Sequence, residues 1–561
     1  MPGINQTLFT AKEALLANLT AINLTGANIA NVNTPGYTRL RPVFESAGTT
    51  NVTSTLDQAG VKIAGVERIY DRFLEAKIVA SASAVGNYAV QKDMLSYVEG
   101  ILNETAGTGI NDALSRFWNA WSSLSANPSG DTQRELVVSA AQNVAAVFSQ
   151  RFEELQRYSE DANGYLAESV TTLNGYLSEM ASLNHAVVQT QSAGGNTSSL
   201  CDTRNELLNK ISGIIDVDYM EKPDGSLYLY QPATGKIMVD GEDARFLQVQ
   251  RNSANQDLYD IAFQDDPSQV INTRIGGGKL AALLAIRDGA LPACMDALNQ
   301  TALSLINSVN DRHTQGYDKN GNPGGVFFRP SAGAKSMAVD DRIVADVSGI
   351  AASSGLYADG NNADSIAALR DRPMSASLGT LVLSNPASSA SGVIDQAGDA
   401  YKSTIDGHAL TLARGAGAAD WTIADNGGYV RARILTADAS SVTVDLNGNG
   451  TAAITFTLSG AWSDGDTLAV TLTQKEGAAT LEGYYNSFIA RVGQSVVDAA
   501  QSLAAQNTLA NQLSQRREAL SGVSLDEEMM NLIKFQMAYN AAGRMTQAVS
   551  EIMDLLMSLG E

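Results

Sequence analysis

The chain has 561 residues, more than one hydrophobic core organises, so three or more domains are expected. Apolar residues make up 44% and charged residues 17%, a globular balance and not a disordered one. Sixty acidic against 38 basic side chains leave a net charge of −22, which argues against nucleic acid or an anionic membrane as partner.

The first element is a helix ending near Asn33. Leu8, Leu15, Ile22 and Ile29 recur every seven residues, and Ala11, Asn18, Thr25 and Val32 follow each by three. That spacing is an a/d seam, which keeps one stripe turned to a partner helix. Lys12 and Glu13 are the only ionisable side chains between Met1 and Pro35, so the remaining neutral faces suit packing against protein on several sides. No basic stretch followed by an apolar run marks a secretory signal, and no segment approaches the ~20 apolar residues of a membrane span. Thr34 precedes proline and Pro35-Gly36 fits the centre of a type II turn, which stops the helix.

From Thr38 to Gly60 the chain reads as extended and turn-rich, then strand-like at Val61-Lys62-Ile63 and helical from Tyr70. Phe117, Trp118 and Trp121 fall in a short helix that Asn127-Pro128 ends, and such a cluster reads as core. A long helix follows, with apolar residues stepping by three and four from Leu155 to Val187. Gly164 and Gly175 weaken it without overturning it. Ala193-Gly194-Gly195 breaks it before a shorter helix from Ser199 to Ile215. Residues 216–272 alternate turn signals with short β-prone runs such as Leu227–Tyr230, Lys236–Val239 and Phe246–Val249, predicting antiparallel strands. A helical seam returns from Leu280 to Val309 with a kink expected at Pro292. The Gly-, Ala-, Ser-, Thr- and Asp-rich stretch 316–480 predicts an all-β, sandwich-like insert, and helix resumes at Leu481.

Ser524-Leu525-Asp526-Glu527 forms a capping box, from which a helix can run about 50 Å to Leu559. Met545, Val549, Ile552, Leu556 and Leu559 are spaced 4, 3, 4 and 3, a second seam expected to pair with the first.

Chemistry-bearing motifs are weak by comparison. His185, His313 and His408 are scattered, and Cys201 and Cys294 read as buried free thiols, with a disulfide as the other possibility. Asp445–Gly450 begins like a calcium loop but has Phe456 where a bidentate Glu belongs, so a turn is expected. Asp318–Asn322 departs sooner, at Pro323. Gly276-Gly277-Gly278-Lys279 lacks the leading Gly and the Ser or Thr of a phosphate loop, and reads as a flexible entry to a helix. No catalytic, cofactor or metal constellation emerges.

Two runs carry a resemblance. Gly26-Ala27-Asn28-Ile29-Ala30-Asn31-Val32-Asn33-Thr34-Pro35-Gly36-Tyr37-Thr38-Arg39 is similar to the N-terminal signature of bacterial flagellar axial proteins, the rod, hook and hook-associated proteins. The run from Arg517-Glu518-Ala519-Leu520 through Ser524-Leu525-Asp526-Glu527-Glu528 to Phe535-Gln536 resembles, more narrowly, the hook-associated proteins that join hook to filament. Met537, where a second Gln is usual, and Gly543 inside the helix are atypical.

The expected fold is therefore multidomain α+β: a terminal α-helical coiled coil, a long-helix body and an all-β outer insert. Residues 1–60 would pair with 524–561, while 61–215, 273–315 and 481–523 form the body. Residues 216–272 form a small antiparallel β segment, and 316–480 the outer insert. The expected assembly interface is Leu8, Leu15, Ile22, Ile29, Val32, Met545, Val549, Ile552, Leu556 and Leu559. The resemblance implies a non-enzymatic structural protein, exported through the flagellar type III apparatus without a cleaved signal. It would assemble with copies of itself in a helical ring, with hook protein, with hook-associated protein 3 and, before secretion, with an export chaperone. Other readings are a different rod or hook axial protein, or an adhesin carried by the insert, for which an exposed Trp421–Trp462 pair would speak.

Overall fold

Apolar residues at three- and four-residue intervals, with proline kept to the breaks, make helices the dominant element. The computed structural model describes residues 2–34, 36–46, 60–104, 109–255, 257–331, 333–355, 359–372, 381–383, 388–394, 409–416, 420–425, 433–437, 441–445, 454–471 and 480–558. The fold is mixed α+β, with long helices and several small antiparallel sheets. The chain divides into two compact units, one of Met1–Leu95, Glu160–Gly289 and Val496–Glu561, the other of Ser96–Ser159 and Ala290–Ser495. No described helix is long and apolar enough to cross a membrane.

In the first unit α1 (Pro2–Ala30) packs along α11 (Leu525–Ser558), the last helix of the chain. A two-stranded ribbon, β1 (Leu40–Ser46) antiparallel to β2 (Val61–Arg68), also packs on α1. The turn expected after α1 forms as the sequence requires: Gly36 has φ +82° and Tyr37 N–H reaches Thr34 O at 3.2 Å. The unit also takes the first part of α2 (Arg72–Leu102), the later part of α4 (Asp131–Ser192), α5 (Ser198–Ile214) and the end of α10 (Leu481–Ser521). Helix α4 has 62 residues, about 90 Å of continuous helix.

The strands of 216–272 form two sheets. One holds β3 (Asp218–Glu221), β4 (Leu227–Tyr230), β5 (Ile237–Asp240) and β6 (Asp243–Ala244); the other holds β7 (Leu247–Asn252), β8 (Leu258–Phe263) and β9 (Asp266–Val270). Three asparagines of α4 dock them by serving strand backbone. Asn184 Nδ2 donates to Leu227 O and Gly241 O while its Oδ1 accepts Leu227 N–H, each at 2.9 Å. Asn174 pairs with both polar groups of Leu247, and Asn163 accepts Tyr259 N–H. The carboxamide mimics a peptide group, so a helix side chain closes strand hydrogen bonds that would otherwise be buried unmet.

The triple glycine before α6 (Gly278–Ala285) is not the flexible entry expected. Gly278 has φ +73°, and a Cβ there would lie 2.5 Å from both Ile214 O and Ile215 N. Gly278 is required because backbone meets backbone there. The interruption expected at Pro292 does form. The helix widens to a π-turn over Ile286–Ala290, directly before Pro292, and continues as α7 (Leu291–His313), so the wider turn falls where the proline ring and its missing N–H break the α-helical ladder.

The core of the second unit is the aromatic cluster of α3 (Ile110–Ala126). Phe117 and Trp121 are fully buried against Phe327, Phe328 and His313, with Trp121 and Phe327 ring centroids 5.2 Å apart. This cluster also explains a correction to the insert expected over 316–480. Its first part, through Asp371, builds α8 (Asp341–Ala345), α9 (Asn361–Ala367) and short 3₁₀ turns in place of a sheet. There Phe327, Phe328, Ile343, Ile350 and Ile366 are buried in the helical core. Arg134, 1% exposed, holds the segment by donating to Ile350 O at 2.7 Å and Pro128 O at 2.7 Å. Composition misleads here because the Gly, Asp and Asn make Asx-type turns, as where Asp318 Oδ1 accepts Asn320 and Asn322 N–H at 2.8 Å.

Strands begin later. β10 (Leu381–Leu383), β17 (Thr467–Thr471), β12 (Ala409–Arg414) and β13 (Trp421–Asp425) make one four-stranded antiparallel sheet. β11 (Ser388–Ile394), β16 (Ile454–Gly460), β15 (Ser441–Asp445) and β14 (Arg433–Ala437) make another. The rest of the calcium-like stretch, 446–450, and His408 lie outside the described residues.

His313 supplies a pH prediction. Its Nδ1 faces Gly325 O at 2.6 Å and its Nε2 accepts Ala351 N–H at 2.8 Å, so the ring is held neutral. Burial, with a smaller contribution from Arg134, pushes its pKa down to about 4. The unfolded ring therefore binds a proton below its usual value near 6.5 while the folded one does not. Stability is full above that value and declines as pH falls toward 4, by roughly 3 kcal/mol from this group. Thermal melts from pH 7 to 4.5 should fall less steeply in His313→Gln than in the unaltered chain. Parallel curves would exclude the effect.

Candidate functional site

The site is built from the two terminal signatures. Asn28, 1% exposed in the last turns of α1, uses all of its hydrogen-bonding capacity. Its Nδ2 donates to Leu40 O at 2.9 Å and Glu528 Oε2 at 3.0 Å, and its Oδ1 accepts Leu40 N–H at 3.0 Å and the Tyr37 hydroxyl at 2.9 Å. Glu528, 2% exposed in the first turn of α11, is a helix away in space and 500 residues away in sequence. Arg39 meets it through Nε at 2.8 Å and Nη2 at 2.7 Å, and meets Glu527 through Nη1 at 2.7 Å. Glu527, expected to close a capping box on Ser524, thus places its carboxylate on Arg39. A carboxylate at a helix N-terminus is already favoured there by the helix dipole.

A second ring of contacts ties this pair to the rest of the unit. Arg39 N–H donates to Ser521 O at 2.8 Å, where α10 gives way to α11. Arg517 donates to Gly36 O at 2.8 Å and to Glu75 at 2.7 Å. Thr38 donates through backbone N–H (3.0 Å) and hydroxyl (2.7 Å) to Asp202 of α5, which also pairs with Arg68 of β2. Burial, followed by the Asp202 and Glu528 carboxylates, raises the pKa of the Tyr37 phenol. Burial also raises that of Glu75, outweighing Arg517. Nothing in this arrangement pairs a nucleophile with a base; it is a lock between the two chain ends. Among the described residues no group of three His, Cys, Asp or Glu could hold a metal.

The apolar residues expected at the assembly interface sit beside this lock. On α1 the stripe buried in the unit is Ala11, Ala17, Ala21, Thr25 and Asn28. That line lies about one residue, roughly 100°, around the helix from the large residues of the expected seam. Leu15, Ile22, Ile29 and Val32 are half-buried, and Leu8 is exposed along with Phe9, Leu16 and Leu19. On α11, Val549 is buried with Ala542 and Glu528, while Met545 and Ile552 are 40% and 48% exposed. Leu556 lies in α11, its side chain outside the description, and Leu559 is beyond the described residues. The fully buried positions of the two helices are thus mostly small or polar, while Leu8, Phe9, Leu16 and Leu19 of α1 and Met529, Met530, Ile533, Met537, Met545 and Ile552 of α11 are exposed.

Sequence reasoning missed the lock itself. Asn28 read as part of a neutral face, although Tyr37, Thr38, Arg39, Arg517 and Glu528 all stand in the signature runs. The available signal was the scarcity of charge: Arg39 is the first basic residue after Lys12, and it needs an acid. Cys201 and Cys294 are buried free thiols, and burial raises the Cys294 pKa to about 12.

Comparison with known proteins agrees with these two ends. The family described as flagellar hook-associated protein FlgK helical domain matches residues 95–328. The flagella basal body rod protein family matches 8–38, and the flagellar basal body rod FlgEFG protein C-terminal family matches 515–559. The chain is 26% identical over 584 residues to a protein of Bacillus subtilis named flagellar hook-associated protein 1, covering 98% of this chain and 96% of that one. It is 25% identical over 586 residues to the protein of that name from Salmonella typhimurium, covering 98% and 99%. The structure of the flagellar hook junction protein FlgK from Burkholderia pseudomallei shares the fold at a TM-score of 0.50 and 17% identity, over 79% of this chain and all of that one.

Proposed function

Because the chain belongs to the flagellar hook-associated protein 1 family, we propose that it joins hook to filament through helical self-assembly of its two terminal helices. It is a structural component of the flagellum. The observation that carries the mechanism is the packing of α1 along α11, fastened by the Asn28–Glu528–Arg39 lock, with large apolar groups of both helices left exposed. Each such group covered by a neighbouring helix returns about 1–2 kcal/mol, which suits a coiled coil shared among copies in a ring. Hook protein would pack on one side of that ring and hook-associated protein 3 on the other, after release from an export chaperone and passage through the flagellar type III apparatus. The two four-stranded sheets between 381 and 471 would form the outward insert. No observation favours the adhesin reading: Trp421 is 7% exposed and packs edge-on against Trp462, with centroids 5.3 Å apart.

The test uses Ile533→Asp with Ile552→Asp, both about half exposed in the single chain. Monomer stability should change by less than about 1 kcal/mol, as for surface positions. Cells making this variant should secrete it yet shed their filaments. Firm filament attachment in the variant would count against the terminal helices as the assembly surface.

A further inference from the structure

A cavity of about 430 Å³ opens in the first unit, away from the terminal lock. Its walls are α2 (Ser83, Asn87, Tyr88), the residues after α5 (Asp216, Asp218) and the backbone of Gly276-Gly277. Two observations set it apart from a plain hydrated cleft. Ser83 is 9% exposed and lines the cavity, and its hydroxyl makes no hydrogen bond among the described residues; the helix carbonyl it would ordinarily use, Val79 O, already accepts the Ser212 hydroxyl at 2.6 Å. Asp216 is half-buried, and among the described residues no cationic side chain pairs with it. The donors turned to its oxygens are all neutral: Gly276 N–H at 3.1 Å and Gln231 Nε2 at 3.3 Å, with the N–H groups of Gly277 and of Asp216 itself. Desolvation accordingly raises its pKa. The end of α5 adds the negative pole of a helix dipole to the same wall.

We propose that this cavity is a binding site for a primary ammonium group, seated between the Asp216 carboxylate and the Ser83 hydroxyl. An ammonium supplies three donors, no acceptor and the positive charge that the neutral donors around Asp216 do not provide, matching a carboxylate and an adjacent hydroxyl oxygen. The volume admits a butyl stem, so a small free amine and a lysine side chain share the required chemistry. An anion is refused by both carboxylates.

The experiment titrates the full chain with butylammonium chloride, and separately with the tripeptide Gly-Lys-Gly, against sodium chloride at equal ionic strength. The readout is the unfolding midpoint together with calorimetric binding. Butylammonium should raise the midpoint where sodium does not. Asp216→Asn should weaken binding at least about tenfold, as expected for loss of a charge-assisted partner, and Ser83→Ala by a few-fold. Response to butylammonium alone assigns the site to a free amine, and response to both probes admits a lysine. No response to either probe overturns the proposal. So does a response of equal size in Asp216→Asn or, where that variant fails to fold, in Ser83→Ala.

Discussion

Glu528→Ala should loosen both ends of the chain at once. The substitution strands the Arg39 guanidinium, whose side chain is 19% exposed, with only the outlying Glu527, and removes one of the two acceptors of Asn28 Nδ2. Breaking one side of a buried, hydrogen-bonded ion pair costs about 3–5 kcal/mol, and the retained Glu527 contact puts this case near the lower figure. Glu527→Ala, at a side chain 56% exposed, should cost under about 1 kcal/mol. The amide of Leu40, which donates to Asn28 Oδ1, reports the difference by hydrogen exchange. Its protection should drop on the order of a hundredfold in Glu528→Ala and remain nearly unchanged in Glu527→Ala. Equal protection in the two variants would remove the lock from the account.

The second large effect is expected at Gly278. Alanine there meets a left-handed backbone and the main chain of Ile214 and Ile215 together. Neither can relax as a flexible side chain would, so a loss of at least about 3 kcal/mol is expected. Gly164 in α4 makes the opposite case, with open space around its Cβ position and no positive φ. Gly164→Ala should stabilise by about 0.5–1 kcal/mol. Melting temperatures should therefore move in opposite directions for two substitutions that are identical on paper. A shared direction would show that local helix propensity, not backbone contact, governs Gly278.

Those glycines mark where legibility ended. Periodicity located the helices, and turn residues located the strands of 216–272, because both signals are local. The turn at Gly36 was legible for the same reason. The partner of a given stripe is not local. The seven-residue spacing of Leu8, Leu15, Ile22 and Ile29 looked like the intramolecular seam, but a helix with several neighbours buries different faces against each. Within the chain α1 turned its alanines inward. The stretch from 316 to 371 misled through composition, since turn-forming residues serve a helical core as readily as a sheet. The asparagines of α4 and the pairing of Asn28 with Glu528 left no pattern, because one carboxamide at one position carries no period.

A stripe of small side chains is also smooth. Ala17, Ala21 and Thr25 follow one another at one-turn intervals on α1, so sliding that helix by a turn exchanges small side chains for small ones and meets little corrugation. The axial register is instead set near one end, where Asn28 grips Glu528 and the Phe44 ring sits 5.9 Å from that of Phe535. The terminal pair thus resembles a rail with a stop at one end. It can transmit pull through the stop while the remaining length creeps, so a load along the axis is met by shear between two helices before either is forced to unwind.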